Sequence, residues 1–139
     1  MSLRGWFVSR VEGAPKVTAL VSPEMIMTAS AAGLPGSPTQ EPTKPFMLIR
    51  SGAIENRMGV AQSQRFFAYV HDEPGSYIGI EEILNEVKAA LLANLPATIG
   101  STRVTAVEWE GDGDDLYDDT FGTITRYAQF RLTGRQVGL

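Results

Sequence analysis

The sequence predicts an α+β domain with a mostly antiparallel four-stranded sheet and one long helix packed across a face, plus a short N-terminal helix and long loops. Residues 123–133 alternate, with Ile124, Arg126, Ala128, Phe130 and Leu132 set against Thr123, Thr125, Tyr127, Gln129 and Arg131, the period of a strand buried on one side. Residues 77–95 place Tyr77, Ile80, Ile83, Leu84, Val87, Leu91 and Leu95 three or four apart, which lays one apolar stripe along a helix. Short runs at 46–50, 64–72 and 103–110 supply the other strands.

Taken in order, residues 2–11 carry Leu3, Trp6, Phe7, Arg10 and Val11 at helical spacings behind a serine suited to an N-cap. Gly5 and Gly13 weaken this helix, which extends after Pro15 through residues 16–21. Residues 22–45 hold five prolines with Gly33 and Gly36, which forbids a regular element through most of a long loop; Met25, Ile26 and Met27 interrupt its polarity as a brief strand or anchor.

Phe46 to Arg50 is a continuous apolar run suited to a strand covered on both faces, and residues 64–72 are its partner. The connection 51–63 reads as a projecting hairpin arm, with Ile54 and Val60 flanking a polar tip. In the helix that follows, Glu81, Glu82 and Glu86 stand toward the N-terminus and Lys88 later, the order a helix dipole favours, and Asn94 and Pro96 provide the stop. Strand 103–110 then leads into the acidic loop 111–122, which holds Asp112, Asp114, Asp115, Asp118 and Asp119, five of sixteen acids. Such density stays in water unless something pairs it.

At 139 residues the chain is expected to be a single domain, 1–139, with one core. Its 43% hydrophobic and 20% charged content is that of an ordinary globular protein, and no apolar run approaches a membrane span. A net charge of -4 argues against a broad cationic face for nucleic acid. With no cysteine there is no disulfide framework, thiolate nucleophile or cysteine metal site. The N-terminal MSLRGWFVSR lacks a continuous apolar core of signal-peptide length, so the protein is expected in the cytoplasm that makes it.

No catalytic set is expected. The one histidine, His71, stands beside Asp72 at a strand end without a GxSxG serine, a position that reads as surface or capping. Glu110, Asp112 and Asp114 alternate as calcium ligands do, but Asp115 stands where an EF-hand needs Gly and Phe121 where it needs Glu. Asp112, Asp114 and Asp118 remain weak candidates for an improvised metal site, and a small metal- or ligand-binding protein or enzyme using this loop is the alternative reading. Paired carboxylates for glycoside cleavage lack an apolar wall to separate their pKa values. The GDGD at Gly111 opens into acids that would repel phosphate.

Over residues 46–133, the order and spacing of Asp72, Tyr77, Ile80, Trp109, Asp115, Leu116, Gly122, Arg126, Tyr127, Ala128, Phe130 and Leu132 resemble the tail terminator and head-to-tail joining (tail completion) proteins of long-tailed bacteriophages. That resemblance implies a non-enzymatic virion protein without cofactors, assembled in the host cytoplasm. It would form a ring of six copies that caps the tail tube and meets the head connector or head completion protein. DNA would pass through such a ring without specific binding, and no membrane would be involved. In it, Arg57 and Met58 are expected to meet a neighbour, the five aspartates to face the channel or a basic partner, and Arg126 to pair with carboxylates inside or between subunits.

Overall fold

The computed structural model describes residues 2–28, 43–57 and 61–137, with the side chains of residues 56 and 57 excepted. Helices α1 (Leu3–Glu12) and α2 (Pro15–Thr18) lead through a 3-10 turn, Pro23–Met25, into β1 (Ile26–Thr28). Strands β2 (Phe46–Arg57) and β3 (Ala61–Asp72) precede α3 (Ile78–Leu92), and β4 (Ala97–Ile99), β5 (Thr102–Asp112), β6 (Leu116–Asp118) and β7 (Thr123–Gln136) follow.

The expected four-stranded antiparallel sheet is corrected to seven strands in the order β1-β2-β3-β7-β5-β4, with β6 on a further stretch of β7. The sheet is mixed, because β1 runs parallel to β2 while every other pair is antiparallel. Strand takes in 48% of the described residues, so the domain is mainly β. Of the three further strands, β1 falls where a brief strand or anchor is expected while β4 and β6 are unforeseen, and each is three residues long, too short to display an alternation. All four expected ones also run further, β5 to Asp112, β7 to Gln136, and β2 with β3 through the Arg57–Ala61 pair. The connection 51–63 is therefore mainly a continuation of those two strands, and its tip at 58–60 lies outside the described residues.

The single long helix is corrected as well. Helix α3 has 15 residues and stops at Ala93, which is extended, and Asn94 at φ 54 turns the chain so that Leu95 returns to the core without helix. It shares its face of the sheet with α1 and α2. There Phe7 stacks on Phe66 at 5.0 Å and meets Phe130 edge-on at 5.9 Å. Trp6, Phe7, Phe66, Phe130, Ile80, Leu84 and Leu91 are all buried, and each such side chain contributes about 1.5–3 kcal/mol. Ser2 caps α1, its Oγ accepting from the Gly5 amide at 3.1 Å.

The apolar run Phe46 to Ile49 is buried at all four positions. Met47 and Ile49 face the helices, while Phe46 belongs to a second, smaller cluster on the opposite face with His71 and Phe121. Of the proline-rich loop, residues 29–42 lie outside the described residues, and Ile26 to Thr28 pair with Met47 to Ile49.

Candidate functional site

The acidic segment lies where the end of β5, β6 and the first residues of β7 meet the N-terminal half of α3. Its aspartates are held separately. Asp112 accepts from Lys88 Nζ of α3 at 2.9 Å and from Trp109 Nε1 at 3.1 Å, and the same ammonium sits 4.4 Å from the Trp109 ring. Asp115 takes the guanidinium of Arg126, whose Nε donates at 2.8 Å while Nη2 also bonds it. Asp118 Oδ1 accepts from the Phe121 amide at 3.0 Å and fixes the β6–β7 turn. Asp114 and Asp119 are exposed and make no bond among the described residues.

Arg126 is the centre of this region. On the helix side it also donates to Glu81 at 2.8 Å and lies 5.4 Å from the Tyr77 ring, while Tyr77 Oη donates to the Leu116 carbonyl at 3.0 Å. The bond to Asp115, with that to Glu81 and both charges, outweighs desolvation and holds the guanidinium above its ordinary pKa. Its side chain is 20% exposed, so these contacts are only partly screened by water.

Glu110 gathers the cations on the outer face. It accepts from Arg65 Nε at 3.1 Å and Gln129 Nε2 at 3.1 Å, with Arg131 Nε at 3.6 Å. Burial pulls its carboxyl up, but the hydrogen bonds from Gln129 and Arg65 and the charges of Arg65 and Arg131 win and hold it below the usual carboxylate range.

Beside it stand Phe67, Tyr69 and Tyr127, with Tyr69 and Tyr127 centroids 4.9 Å apart and Arg50 over Tyr69. Burial, with the neighbouring Tyr127, raises the Tyr69 phenol above its usual value against the opposing charge of Arg50. Gly113 is required here. Its amide donates to the Tyr127 carbonyl at 2.8 Å, and a Cβ would stand 2.0 Å from the Tyr127 ring.

The surface or capping reading of His71 is corrected: the side chain is buried. Phe46, its partner across β2 and β3, stacks on it at 4.7 Å, Phe121 closes edge-on at 5.6 Å, and Nδ1 lies 2.8 Å from Thr123 Oγ1. Burial pushes its pKa down to about 4, Asp118 opposing and Arg50 assisting, so the ring is neutral near pH 7. Phe121 is fifty residues away in sequence, which is why a local reading misplaces His71.

The aspartates Asp112, Asp114 and Asp118 do not converge, and among the described residues no group of three or more acidic, histidine or cysteine side chains is placed to hold a metal ion. A cavity of about 260 Å³ lies between residues 18–25 and 43–45, lined by Thr18, Ser22, Glu24, Met25 and Lys44 among others. Arg57 has no described side chain, and Met58 lies outside the described residues.

Sequence reasoning missed Lys88, Tyr77 and Glu81 as partners of the acidic segment, and it missed Arg10. That residue crosses from α1 to the end of α3, where Nε donates to the Ala90 carbonyl at 2.9 Å and Nη2 to that of Ala93. The last turn of α3 carries no basic residue of its own, a gap that signals an outside donor.

No protein-family model matches the sequence, and no curated protein matches it. Among solved structures, the chain is similar to one in the virion of a native gene transfer agent particle, with a TM-score of 0.66 at 12% identity. The match covers 96% of this chain and 94% of that one, so the whole domain shares that fold. No described helix is long and apolar enough to cross a membrane.

Proposed function

We propose that this chain is a structural protein of a phage-like virion, forming a ring at the head-proximal end of the tail where the tail tube meets the head connector. The observation that carries this reading is the mutual coverage with a chain of a gene transfer agent virion, 96% of this chain and 94% of that one. The motif spacing from Asp72 to Leu132 points the same way. Lys88 and Arg126 hold two of the five aspartates, while Asp114 and Asp119 remain exposed to give the ring a negative rim. Like charge keeps a polyanion from adsorbing, because phosphate binding depends on cations that release its counterions.

The protein would act by shape and self-association rather than catalysis. Immunogold electron microscopy of particles carrying an epitope-tagged copy tests the placement. Label at the junction of head and tail is expected; label on the capsid wall or the distal tail tip, or tagged protein missing from purified particles, overturns it.

A further inference from the structure

Strands β2 and β5, each next to a short outermost strand, are covered on that side over only part of their length. Strand β1 pairs with Met47 to Ile49 of β2, and β4 pairs with Thr102 to Val104 of β5. Residues 50–54 of β2 and 105–112 of β5 therefore present edges with no neighbouring strand among the described residues. An open edge offers unpaired amides and carbonyls to another chain.

The ladders set these open stretches at one height. Ser51, Phe66, Phe130 and Trp109 lie in a single row across β2, β3, β7 and β5, and Ile54, Gln64, Leu132 and Val107 lie in another. Each strand is antiparallel to the next along that path, so β5 runs opposite to β2. Copies related by rotation about an axis along the strands would thus bring β5 of one against β2 of the next as an antiparallel pair.

The side chains match on both faces. Ile54 and Trp109 share the helix side of the sheet and are 55% and 49% exposed. Arg50 and Glu108 share the outer side, both exposed, and neither has an ion-pair partner among the described residues. Both edges carry a bulge, at residues 52–53 and at Glu110, which makes each a poor template for an arbitrary strand and selects for a partner of fitting irregularity.

We infer that neighbouring copies of this chain join head to tail by pairing the open edge of β5 with the open edge of β2, Trp109 opposite Ser51, with Ile54 diagonal to Trp109 and Arg50 diagonal to Glu108. This deepens the ring reading above and rests on it. The sheets would then run on from subunit to subunit around the ring.

The absence of cysteine allows a direct test in the full chain. With Ser51→Cys and Trp109→Cys, which the rows place at one height, in separate chains, each variant alone stays uncrosslinked on oxidation, and an equal mixture gives a dimer. Both substitutions in one chain give a ladder of multimers that ends at the ring. Separately, Arg50→Glu or Glu108→Arg alone weakens self-association about tenfold or more, and the two together restore it to within about threefold.

Disulfides within one single-cysteine variant would show a face-to-face contact and overturn the proposal. So would additive losses in the paired charge reversals. If neither crosslink nor charge rescue is seen while light scattering still finds rings, the edge pairing fails and the ring reading stands. A chain that stays monomeric at every concentration, alone and with its tail tube protein, sinks both. The charge variants lie at exposed positions, so they remain informative if loss of the Trp109 contact with Lys88 unfolds the Trp109→Cys chain.

Discussion

The guanidinium of Arg126 reaches 2.8 Å from the Glu81 carboxylate, so the central strand of the sheet is tied to the first turns of α3. Because Asp115 occupies the other side of that guanidinium, the acidic segment, the strand and the helix move as one. Arg126→Ala is expected to cost about 1–2 kcal/mol, a discounted value for charged hydrogen bonds at a partly exposed site. Arg126→Lys should recover only part of it, since an ammonium cannot serve both carboxylates in the planar geometry. Urea unfolding measures both, and an unchanged midpoint for Arg126→Ala would show the cluster to be ornamental.

Acid should weaken the fold through His71. Its folded pKa of about 4 lies below the ordinary 6.5, so between these values the unfolded chain binds a proton that the folded chain refuses. The contribution is complete above pH 6.5 and is lost as pH falls toward 4, amounting to about 2 kcal/mol at pH 5. His71→Phe should remove that slope. Thermal melts of both proteins from pH 7 to pH 4.5 check this, and parallel curves would contradict it.

Gly134→Ala should destabilise by about 2 kcal/mol or more through overpacking. The new Cβ would stand 2.5 Å from the Arg103 carbonyl and 3.1 Å from both Leu3 and Val104, where α1 crosses the β7–β5 ladder. Gly52→Ala is the control, since its nearest neighbours would be 3.8 Å away. Equal melting temperatures for the two variants would refute the packing argument.

Neutralising the aspartates one at a time should give graded effects. Asp112→Asn and Asp115→Asn are each expected to cost about 0.5–1 kcal/mol through Lys88 and Arg126, whereas Asp114→Asn and Asp119→Asn should lie within about 0.5 kcal/mol of wild type. A uniform response across the four would mean that their ion pairs carry no energy of their own.

Leu84→Asp should leave no folded protein, because a carboxylate would be buried without a partner at a position 1% exposed. Ile78→Asp, on the same helix but 74% exposed, should be tolerated and even favoured by its place near the N-terminus. Circular dichroism distinguishes them.

The strongly periodic elements were legible: the stripe from Ile80 to Leu91 is the buried face of α3, and residues 124, 128, 130 and 132 form the buried face of β7. The sheet as a whole was not. Strands β1, β4 and β6 draw their stability from a neighbour's ladder rather than from their own composition, so three residues such as Ala97 to Ile99 carry no pattern to read. At the site, the charge density was visible in sequence and Arg126 was expected to pair with carboxylates, but Lys88 was not, because it comes from a separate element, α3. Arg10 was read as part of a helical face, and its contact with the end of α3 depends on tertiary placement.

The position of β7 has a consequence for how the protein is made. It comes after every other described element of the sheet, yet it pairs with β3, β5 and β6 and carries both rows of the main ladder. Until it is synthesised, the hairpin of β2 and β3 and the strand β5 have no shared neighbour, so the sheet cannot assemble from the N-terminus stepwise. A chain stalled or cleaved before Thr123 would lack the middle of its sheet rather than a margin.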